Sequence, residues 1–459
     1  MPSKRNPRSI AAGTMLLIIA SAARMDAQSQ PVGCNVPLES PSVTVPLPGN
    51  PFAVKPSADG CWVFVSVGGA KPGIAVLKRG NGRIELARVV ALPSGPAGIV
   101  LTHDGKLLIA AAGTSVVILD VERMINGAEM PIAGTFSGAD FGLSVYVNVT
   151  SDDSLLFVSQ EAAQTITVID LGRARQSGYR PDAIIGNIPV GTSPIALTFS
   201  TDGRWLYTTS EGAAPDWNWP KACKLEGPPP NQALIAERKA SVERQIAALQ
   251  AQQANASDKE KAQLQERIDF IKATVSDDPA SAPLVNPEGA VLVVDVARAR
   301  TNPAQSVAGR IPAGCSAVRM AISPDGSRIY VTARNNNAVG VFDTGKLLSD
   351  PTHARLGTAA VGEAPVPVAV IDHGGKVVVG NSNRFGGTNA PQTLTVLDAA
   401  KMEQAGADAM LGAIPSGAFP REFGISSDGQ TLFLTNAGSS SLQVMDIARL
   451  PIEPARQAR

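Results

Sequence analysis

The stretch Pro324-Asp325-Gly326-Ser327-Arg328-Ile329-Tyr330-Val331-Thr332, residues 324 to 332, joins a turn to a strand. An Asp-Gly pair favours a tight hairpin turn, because glycine accepts the positive φ that such turns require. The apolar and β-branched residues after it are typical of a short strand. This unit decides the fold, because it recurs along the whole chain.

The turn occurs in seven copies. They are centred on Asp59, Asp104, Asp152, Asp202, Asp325, His373 and Asp428. Successive copies lie 45, 48, 50, 123, 48 and 55 residues apart. A regular period of this length indicates a repeat architecture, and the single long step indicates an insertion.

Each copy has the same strand pattern. A Pro/Gly corner precedes the first strand, and the turn leads into the second. A third strand ends in Asp, as in Val341-Phe342-Asp343, and a looser fourth strand returns to the next corner. Four short strands in a repeat of about 40 to 50 residues are typical of one blade of a β-propeller. The sequence therefore predicts an all-β, seven-bladed β-propeller.

Two strands carry a family resemblance. Ile329-Tyr330-Val331-Thr332-Ala333-Arg334-Asn335, and then Thr431-Leu432-Phe433-Leu434-Thr435-Asn436, resemble the signature of the YVTN-repeat, YncE-like seven-bladed propellers, which are related to lactonase-like propellers. The resemblance covers residues 42 to 450. It implies the fold and leaves the activity open, since the family includes both binding proteins and enzymes. The departures are His373 at a turn, Asp153 in place of a turn Gly, Lys78 in place of a strand-ending Asp, and the insertion.

The two ends of the chain predict how the ring closes. The last copy stops after its third strand, near residues 441–447, and an orphan strand at 42–47 precedes the first corner. We expect this N-terminal strand to complete the last blade, because an open ring would leave exposed strand edges.

The N-terminus has the pattern of a signal peptide. Lys4, Arg5 and Arg8 precede an apolar run at residues 10–23, and Ala20-Ser21-Ala22 supplies small residues for cleavage. The run is shorter than the roughly 20 residues of a membrane-spanning helix, and no other segment is apolar enough to span. The sequence predicts a signal peptide at 1–27, a single propeller domain at 28–459, and a periplasmic or secreted protein.

Four cysteines allow three pairings. In the predicted blades, Cys34 and Cys61 fall on one face of the ring, while Cys223 and Cys315 fall on the other. Only the pairs 34–61 and 223–315 keep partners on the same face. The chain has no Cys-x-x-Cys and only three His, which argues against a metal site.

Residues 213–288 form the predicted insertion in blade 4. A Pro-rich stem is followed by apolar residues at helical spacing, namely Ile235, Val242, Ile246, Leu249, Leu264, Ile268, Ile271 and Val275. Ser257 and Glu260 have the spacing of a capping box. The pattern predicts a helical hairpin. Two interpretations stay open: a solvated decoration, or a lid or oligomer contact.

Charge and motifs limit the function. Forty Lys and Arg balance 40 Asp and Glu, so the chain lacks the basic surplus of a nucleic-acid binder. The sequence has no Gly-x-Ser-x-Gly elbow, Walker loop, His-Glu-x-x-His or EF-hand loop, and it assigns no cofactor. The recurring Asp residues are interpreted as turn formers and strand caps.

Candidate site residues appear where one copy departs from its siblings. At the mouths of the first strands, most copies hold small or apolar residues, whereas Tyr146, Arg319, Arg421 and Glu422 are polar. Loops on the same face add Glu161, Glu211, Arg334 and Asn436. The structural alternative is that Arg319 and Glu422 form an ion pair across the channel and Asn436 caps a turn.

The sequence favours a non-enzymatic binding or interaction scaffold whose channel face takes a small molecule or a protein partner. The alternative is a lactonase-like hydrolase. It would use Glu422, Glu161 or Glu211 as a general base or metal ligand, and Arg319 or Arg421 to stabilise an oxyanion.

Overall fold

The structure is a computed structural model. It describes residues 34, 37–138, 141–224, 232–254, 256–273, 285–384, 392–404 and 408–454. All of these residues belong to the compact unit Gly33–Arg459. The predicted signal peptide, residues 1–27, and Val275 of the predicted second helix lie outside the described residues.

The described residues are dominated by short strands. In chain order they are β1 Ser42–Pro46, β2 Asn50–Pro56, β3 Trp62–Gly68, β4 Gly73–Gly80, β5 Arg83–Ala91, β6 Pro96–Leu101, β7 Leu107–Ala112, β8 Ser115–Asp120, β9 Ile132–Ser137, β10 Ser144–Val149, β11 Leu155–Gln160, β12 Thr165–Asp170, β13 Ile184–Pro189, β14 Thr192–Phe199, β15 Trp205–Gly212, β16 Lys221–Cys223, β17 Asn286–Pro287, β18 Gly289–Asp295, β19 Val307–Gly314, β20 Ala317–Ile322, β21 Arg328–Ala333, β22 Ala338–Asp343, β23 Arg355–Ala360, β24 Pro365–Ile371, β25 Lys376–Asn381, β26 Thr393–Asp398, β27 Met410–Pro415, β28 Pro420–Ile425, β29 Thr431–Asn436 and β30 Ser441–Asp446. The helices are α1 Val121–Asn126, α2 Leu171–Ser177, α3 Gln232–Gln253, α4 Asp258–Ala273, α5 Val296–Ala299 and α6 Lys346–Ser349.

The strands form four-stranded antiparallel sheets, one for each repeat copy. Within the described ranges their orders are β2-β3-β4-β5, β6-β7-β8-β9, β10-β11-β12-β13, β14-β15-β18-β19, β20-β21-β22-β23, β24-β25-β26-β27 and β1-β30-β29-β28. A further two-stranded sheet joins β16 to β17. The second and third strands of each copy are almost wholly buried, as in β7 and β11, because apolar side chains on both of their faces pack between neighbouring sheets.

The last sheet joins the two ends of the chain. β1 pairs antiparallel with β30, with Ser42 opposite Met445 and Pro46 opposite Ser441. The N–H of Leu47 donates to the carbonyl of Ser440 at 2.8 Å, which extends the ladder beyond β1. The predicted pairing of the orphan strand with the last repeat copy is confirmed.

The Asp residues of the turns act on the backbone. The hydroxyl of Ser323 donates to Asp325 at 2.5 Å, Asp325 accepts from the N–H of Ser327 at 3.0 Å, and Gly326 has φ +74°. The Ser323 hydrogen bond lowers the pKa of Asp325 to about 2, and the Thr150 hydroxyl lowers that of Asp152 to about 2. Their role as turn formers is confirmed.

Departures from the repeat also have local explanations. Asp153, which replaces a turn Gly, has φ 53°, and its carboxylate accepts from the N–H of His103 at 3.0 Å and from the His103 ring at 2.9 Å. In the sixth copy, Asp372 and His373 both have positive φ, so this turn differs in shape from the Asp-Gly turns. The contact with Asp153 gives His103 a partner in the neighbouring sheet that the sequence did not indicate.

The strand-ending Asp residues begin helices. Asp120, Asp170 and Asp295 each accept from the N–H three residues later, at 2.9 Å in every case. They are therefore the N-caps of α1, α2 and α5, a position for which the Asp side chain is well suited.

Two helices lie between β16 and β17. The backbone N–H of Ser257 donates to Glu260 at 2.8 Å, the contact expected of a capping box at the start of α4. Leu249 of α3 and Ile268 of α4 are buried, and both belong to the predicted apolar seam. No helix in the described ranges is long and apolar enough to cross a membrane.

Both predicted disulfides are present. Cys34 is bonded to Cys61, and Cys223 is bonded to Cys315. Disulfides of this kind are typical of proteins outside the cytoplasm.

Candidate functional site

The innermost strands of the sheets meet in an apolar ring. Val145, Ile195, Val318 and Val366 come from four different sheets, pack against one another and are each at most 8% exposed. Phe52, from a fifth sheet, packs against the same cluster. Side chains from five sheets can meet only where the sheets converge, so this apolar ring marks the centre of the channel.

A charged cluster begins just beyond the apolar ring. Tyr146, Arg319 and Glu422 each lie one residue past the ring position of their strand, and Lys55 lies three residues past Phe52. Glu422 Oε1 lies 3.4 Å from Lys55 Nζ, and Glu422 Oε2 lies 3.6 Å from Arg319 Nη2. The Arg319 guanidinium stands over the Tyr146 ring, 4.5 Å from its centroid. We call these four residues the inner cluster.

The inner cluster has unused hydrogen-bonding capacity. Its ion pairs are longer than the roughly 2.7–3.2 Å of an N–H···O hydrogen bond. Among the residues that the structure describes, the Nε and Nη1 atoms of Arg319 lack a hydrogen-bond partner, and the Glu422 oxygens interact with Lys55 and Tyr146 but make no hydrogen bond of ordinary geometry. The two side chains are only 5% and 6% exposed, so their unpaired polar atoms are costly unless another group binds them.

Charge states in the inner cluster follow from burial and proximity. Burial, reinforced by the Glu422 carboxylate, raises the pKa of Tyr146. Burial opposes the charge on Lys55, but Tyr146 and Glu422 more than offset it and raise the pKa of Lys55. At neutral pH the phenol is therefore neutral and the lysine is charged.

The inner cluster lines a cavity of about 300 Å³. Asn148 and Thr198 add polar groups to its wall, and Pro367 and Phe423 add apolar surface. A more open groove of about 830 Å³ lies beside β1, but Glu453 is the one ionisable group among its described lining residues. The chemistry is therefore concentrated in the channel.

A second group of charges surrounds Arg421. Its guanidinium lies 4.4 Å from the centroid of Phe52 and 5.4 Å from that of Phe419, and Arg384 also lies over Phe419, at 5.3 Å. In the described part of the chain, no carboxylate lies within 4.0 Å of Arg421. Burial, followed by the charges of Arg319, Arg384 and Arg334, lowers the pKa of Arg421 to about 9, so it stays protonated at neutral pH.

Glu211 and Arg334 form a two-pronged ion pair. Arg334 Nη1 donates to Glu211 Oε1 at 3.1 Å, and Nη2 donates to Oε2 at 2.8 Å. The Ser316 hydroxyl adds a bond to Glu211 at 3.1 Å. The bidentate geometry fixes both side chains, so the negative charge of Glu211 is engaged within the protein.

Glu161 is the other acidic residue in this group. Burial, and then the charge of Glu211, raises its pKa, although Arg421, Arg334 and Arg384 act in the opposite direction. We call Arg421, Arg384, Arg334, Glu211 and Glu161 the outer group.

The predicted site residues thus divide between two places. Tyr146, Arg319 and Glu422 belong to the inner cluster, whereas Arg421, Arg334, Glu211 and Glu161 belong to the outer group. Asn436 joins neither: it is buried beside Gly417 at the end of β29, and its side chain makes no capping hydrogen bond. Asn436 holds the N-cap position of the turn Ala437–Ser439, without a side-chain hydrogen bond to it among the described residues, and the ion pair between Arg319 and Glu422 is present.

The sequence comparison missed Lys55. Only the first two positions of the innermost strands were compared between copies, and Lys55 lies further along β2. The position four residues before the turn Asp is occupied by Lys55, Asn148 and Thr198 in three of the copies, and all three side chains line the cavity. A comparison extended by two residues along each strand, to the next side chain on the same face, would have found them.

No group of three or more His, Cys, Asp or Glu in the described ranges is arranged to hold a metal ion.

Comparisons with known proteins bear on the fold. No protein-family model and no curated protein matches the chain. Among solved structures, it is similar to a hydrazine synthase of Kuenenia stuttgartiensis, with a TM-score of 0.57 and 16% identity over 88% of this chain and 97% of that chain. It is also similar to a chain in a crystal structure of the mitotic checkpoint complex, with a TM-score of 0.55 and 12% identity over 96% and 99% of the two chains. Likenesses at these identities concern architecture alone, and with the four-stranded antiparallel sheets they show that the chain is a β-propeller.

Proposed function

We propose that this chain is an exported, seven-bladed propeller of the YncE-like kind that acts as a binding scaffold. Its outer group takes an anionic part of a small molecule or of a protein partner. The seven sheets and the helices between β16 and β17 support the predicted architecture, and the two disulfides support export.

The observation that carries the proposal is the position of Arg421. Its guanidinium lies against two aromatic rings, an arrangement that holds the plane of the group and leaves its N–H edge available. A planar guanidinium binds carboxylate or phosphate through two parallel hydrogen bonds.

The charge balance of the outer group favours the same ligand. Glu211 is engaged by Arg334, and the raised pKa of Glu161 disfavours its charged form. Arg421 then adds positive charge at a place where its guanidinium packs against Phe52 and Phe419, and electrostatic attraction is stronger there than in bulk solvent.

The test is a calorimetric titration of the purified protein with citrate and with inorganic phosphate at low ionic strength. Arg421→Ala should weaken binding by tenfold or more, in keeping with about 1.5–3 kcal/mol for a hydrogen bond to a charged group. Arg204→Ala is the matched control, because Arg204 also stands over an aromatic ring, that of Trp205, but is exposed. Unchanged binding in Arg421→Ala, or equal weakening in both variants, would contradict the proposal.

A hydrolase is the second candidate, and Glu161 is the residue that favours it. A carboxyl group with a raised pKa beside guanidiniums is suited to general acid–base catalysis, with Arg421 stabilising an oxyanion. Turnover of a simple lactone that is abolished by Glu161→Gln would support this alternative. Turnover that is the same in both proteins would remove Glu161 from it.

A further inference from the structure

The inner cluster occupies a compartment of its own. The residues lining its cavity lie beyond the apolar ring along the innermost strands, and none of them belongs to the outer group. Four ring side chains are at most 8% exposed, and Phe52 is partly buried against them. Arg421 holds the equivalent position on β28, so the ring side chains and Arg421 lie at the boundary between the inner cavity and the rest of the outer group.

The cavity has a net positive charge. Lys55 and Arg319 are cationic, and Glu422 is the one acidic group among the described residues that line it. One positive charge is thus left uncompensated beside the buried side chains of Arg319 and Glu422, although the Lys55 side chain is 31% exposed. An uncompensated charge in such a place is costly, and a bound anion of single charge would remove the cost.

The hydrogen-bonding groups add a second requirement. Within the described residues, Nε and Nη1 of Arg319 lack a hydrogen-bond partner, and the Glu422 oxygens make no hydrogen bond of ordinary geometry. The two groups come closest, at 3.6 Å, between Arg319 Nη2 and Glu422 Oε2. A ligand that satisfies both must accept from Arg319 and donate to Glu422. A carboxylate beside a hydroxyl on the adjacent carbon has these two functions at a matching separation.

Size sets the third requirement. A volume of about 300 Å³ lies at the small end of the range for small-molecule sites. This space suits a compact acid. Apolar surface from Phe423 and Pro367 suits a short hydrocarbon portion.

We propose that the inner cavity is a second binding site, specific for a small hydroxy monocarboxylic acid. Lys55 and Arg319 hold the carboxylate, and Glu422 accepts from the hydroxyl. This site is independent of the outer group and does not require the proposed function of Arg421.

The experiment is a titration of the full-length protein with L-lactate, with propionate as the analogue that lacks the hydroxyl. We expect one lactate per chain and binding at least tenfold tighter than that of propionate, since a site built to pair a hydroxyl rejects the analogue lacking it. Saturating citrate should leave the lactate titration unchanged, because the two ligands occupy different compartments.

Variants of Lys55 give the decisive comparison. Lys55→Met keeps the side-chain stem but removes the charge, and it should weaken lactate binding by tenfold or more; Lys55→Arg should retain binding. Thermal melting of each variant checks the fold, and Glu422→Leu, which removes the acceptor for the hydroxyl, provides an independent variant, expected to bring lactate affinity close to that of propionate. Absence of saturable lactate binding up to about 10 mM, or equal affinity in wild type and Lys55→Met, would overturn the proposal.

Discussion

The guanidinium of Arg421 lies 4.4 Å from the ring centroid of Phe52. Arg319 lies 5.4 Å from the same ring, so one aromatic side chain contacts a cation of the outer group and a cation of the inner cluster. Phe52 is also a member of the apolar ring. It therefore separates the two groups and, through its π face, partly offsets the repulsion between them.

Replacing Phe52 tests this dual role. Phe52→Leu should lower the free energy of unfolding by about 1–3 kcal/mol, through lost burial and lost cation–π contacts. Urea unfolding provides the measurement. Phe52→Tyr retains the π face and serves as the control, and equal stability of the Leu variant and wild type would show that the contacts are energetically neutral.

The ion pair between Arg319 and Glu422 predicts coupling between their substitutions. Arg319→Met should destabilise the fold by about 3 kcal/mol, because it removes one partner from a buried pair. Glu422→Gln leaves Lys55 and Arg319 without their carboxylate partner and should lower the free energy of unfolding by a comparable amount. The double variant should be more stable than the sum of the single effects implies by about 1 kcal/mol or more. Additive effects in urea unfolding would mean that the two groups do not interact.

The disulfides predict unequal losses on reduction. Cys223–Cys315 closes a loop of 92 residues, and Cys34–Cys61 closes one of 27. On the chain-entropy account these correspond to about 4.6 and 3.6 kcal/mol, so the Cys223→Ser/Cys315→Ser variant should be the less stable by about 1 kcal/mol. Chemical denaturation of the two double variants compares them directly, and the reverse order would point to native-state effects other than loop closure.

The closing pair of strands predicts a position-specific effect of proline. The backbone N–H of Leu47 donates to the carbonyl of Ser440, and that of Asp446 donates to the carbonyl of Pro41. Successive N–H groups of an antiparallel strand point alternately toward and away from its partner. The N–H of Val45 therefore points toward β30, and that of Thr44 points away from it. Val45→Pro should therefore lower the melting temperature by several degrees, whereas Thr44→Pro should have a smaller effect. Identical melting of the two proline variants would contradict this register.

Deletion of residues 35–47 should promote aggregation by exposing the edge of β30.

The turn carboxylates predict part of the acid sensitivity. The folded-state pKa values of Asp152 and Asp325 are lowered to about 2 from 3.8, so their contribution is complete above about pH 4 and is lost as the pH falls toward 2. Both side chains are largely exposed, and screening keeps the contribution of each below about 1 kcal/mol. Asp152→Asn/Asp325→Asn should reduce stability at pH 7 and flatten its decline between pH 4 and 2. A decline as steep as that of wild type would assign the acid sensitivity to other groups.

The repeat made the fold predictable from sequence. The Asp-Gly turns, the strand after each turn and the Asp that ends the third strand recur at a fixed period, so local backbone chemistry alone gave the sheets and the closing strand. The contact between His103 and Asp153 was not predictable in this way. It joins two neighbouring sheets, and the sequence shows each residue only as a substitution at its own turn.

The candidate site was predictable only where it interrupts the pattern. Charged residues at mouths of strands stood out against small and apolar siblings, which identified Arg319, Arg421 and Glu422. Which of these residues lie on each side of the apolar ring depends on how far each side chain extends into the channel. A single sequence position does not show that distance. Lys55 was missed because it lies deeper along its strand than the compared positions.

The pairing of β1 with β30 also determines the order in which the molecule can be completed. Met445, the partner of Ser42, is synthesised about 400 residues later. At roughly 5–20 residues per second, translation of the intervening chain takes some 20–80 seconds. During that interval the first-made strand has no partner and the nascent ring is open. Cys34 and Cys61 are both synthesised at the start of that interval, so their bond, once formed in an oxidising compartment, tethers the first strand to the first sheet until the last sheet arrives. This disulfide therefore keeps the first strand close to its final position until translation is complete.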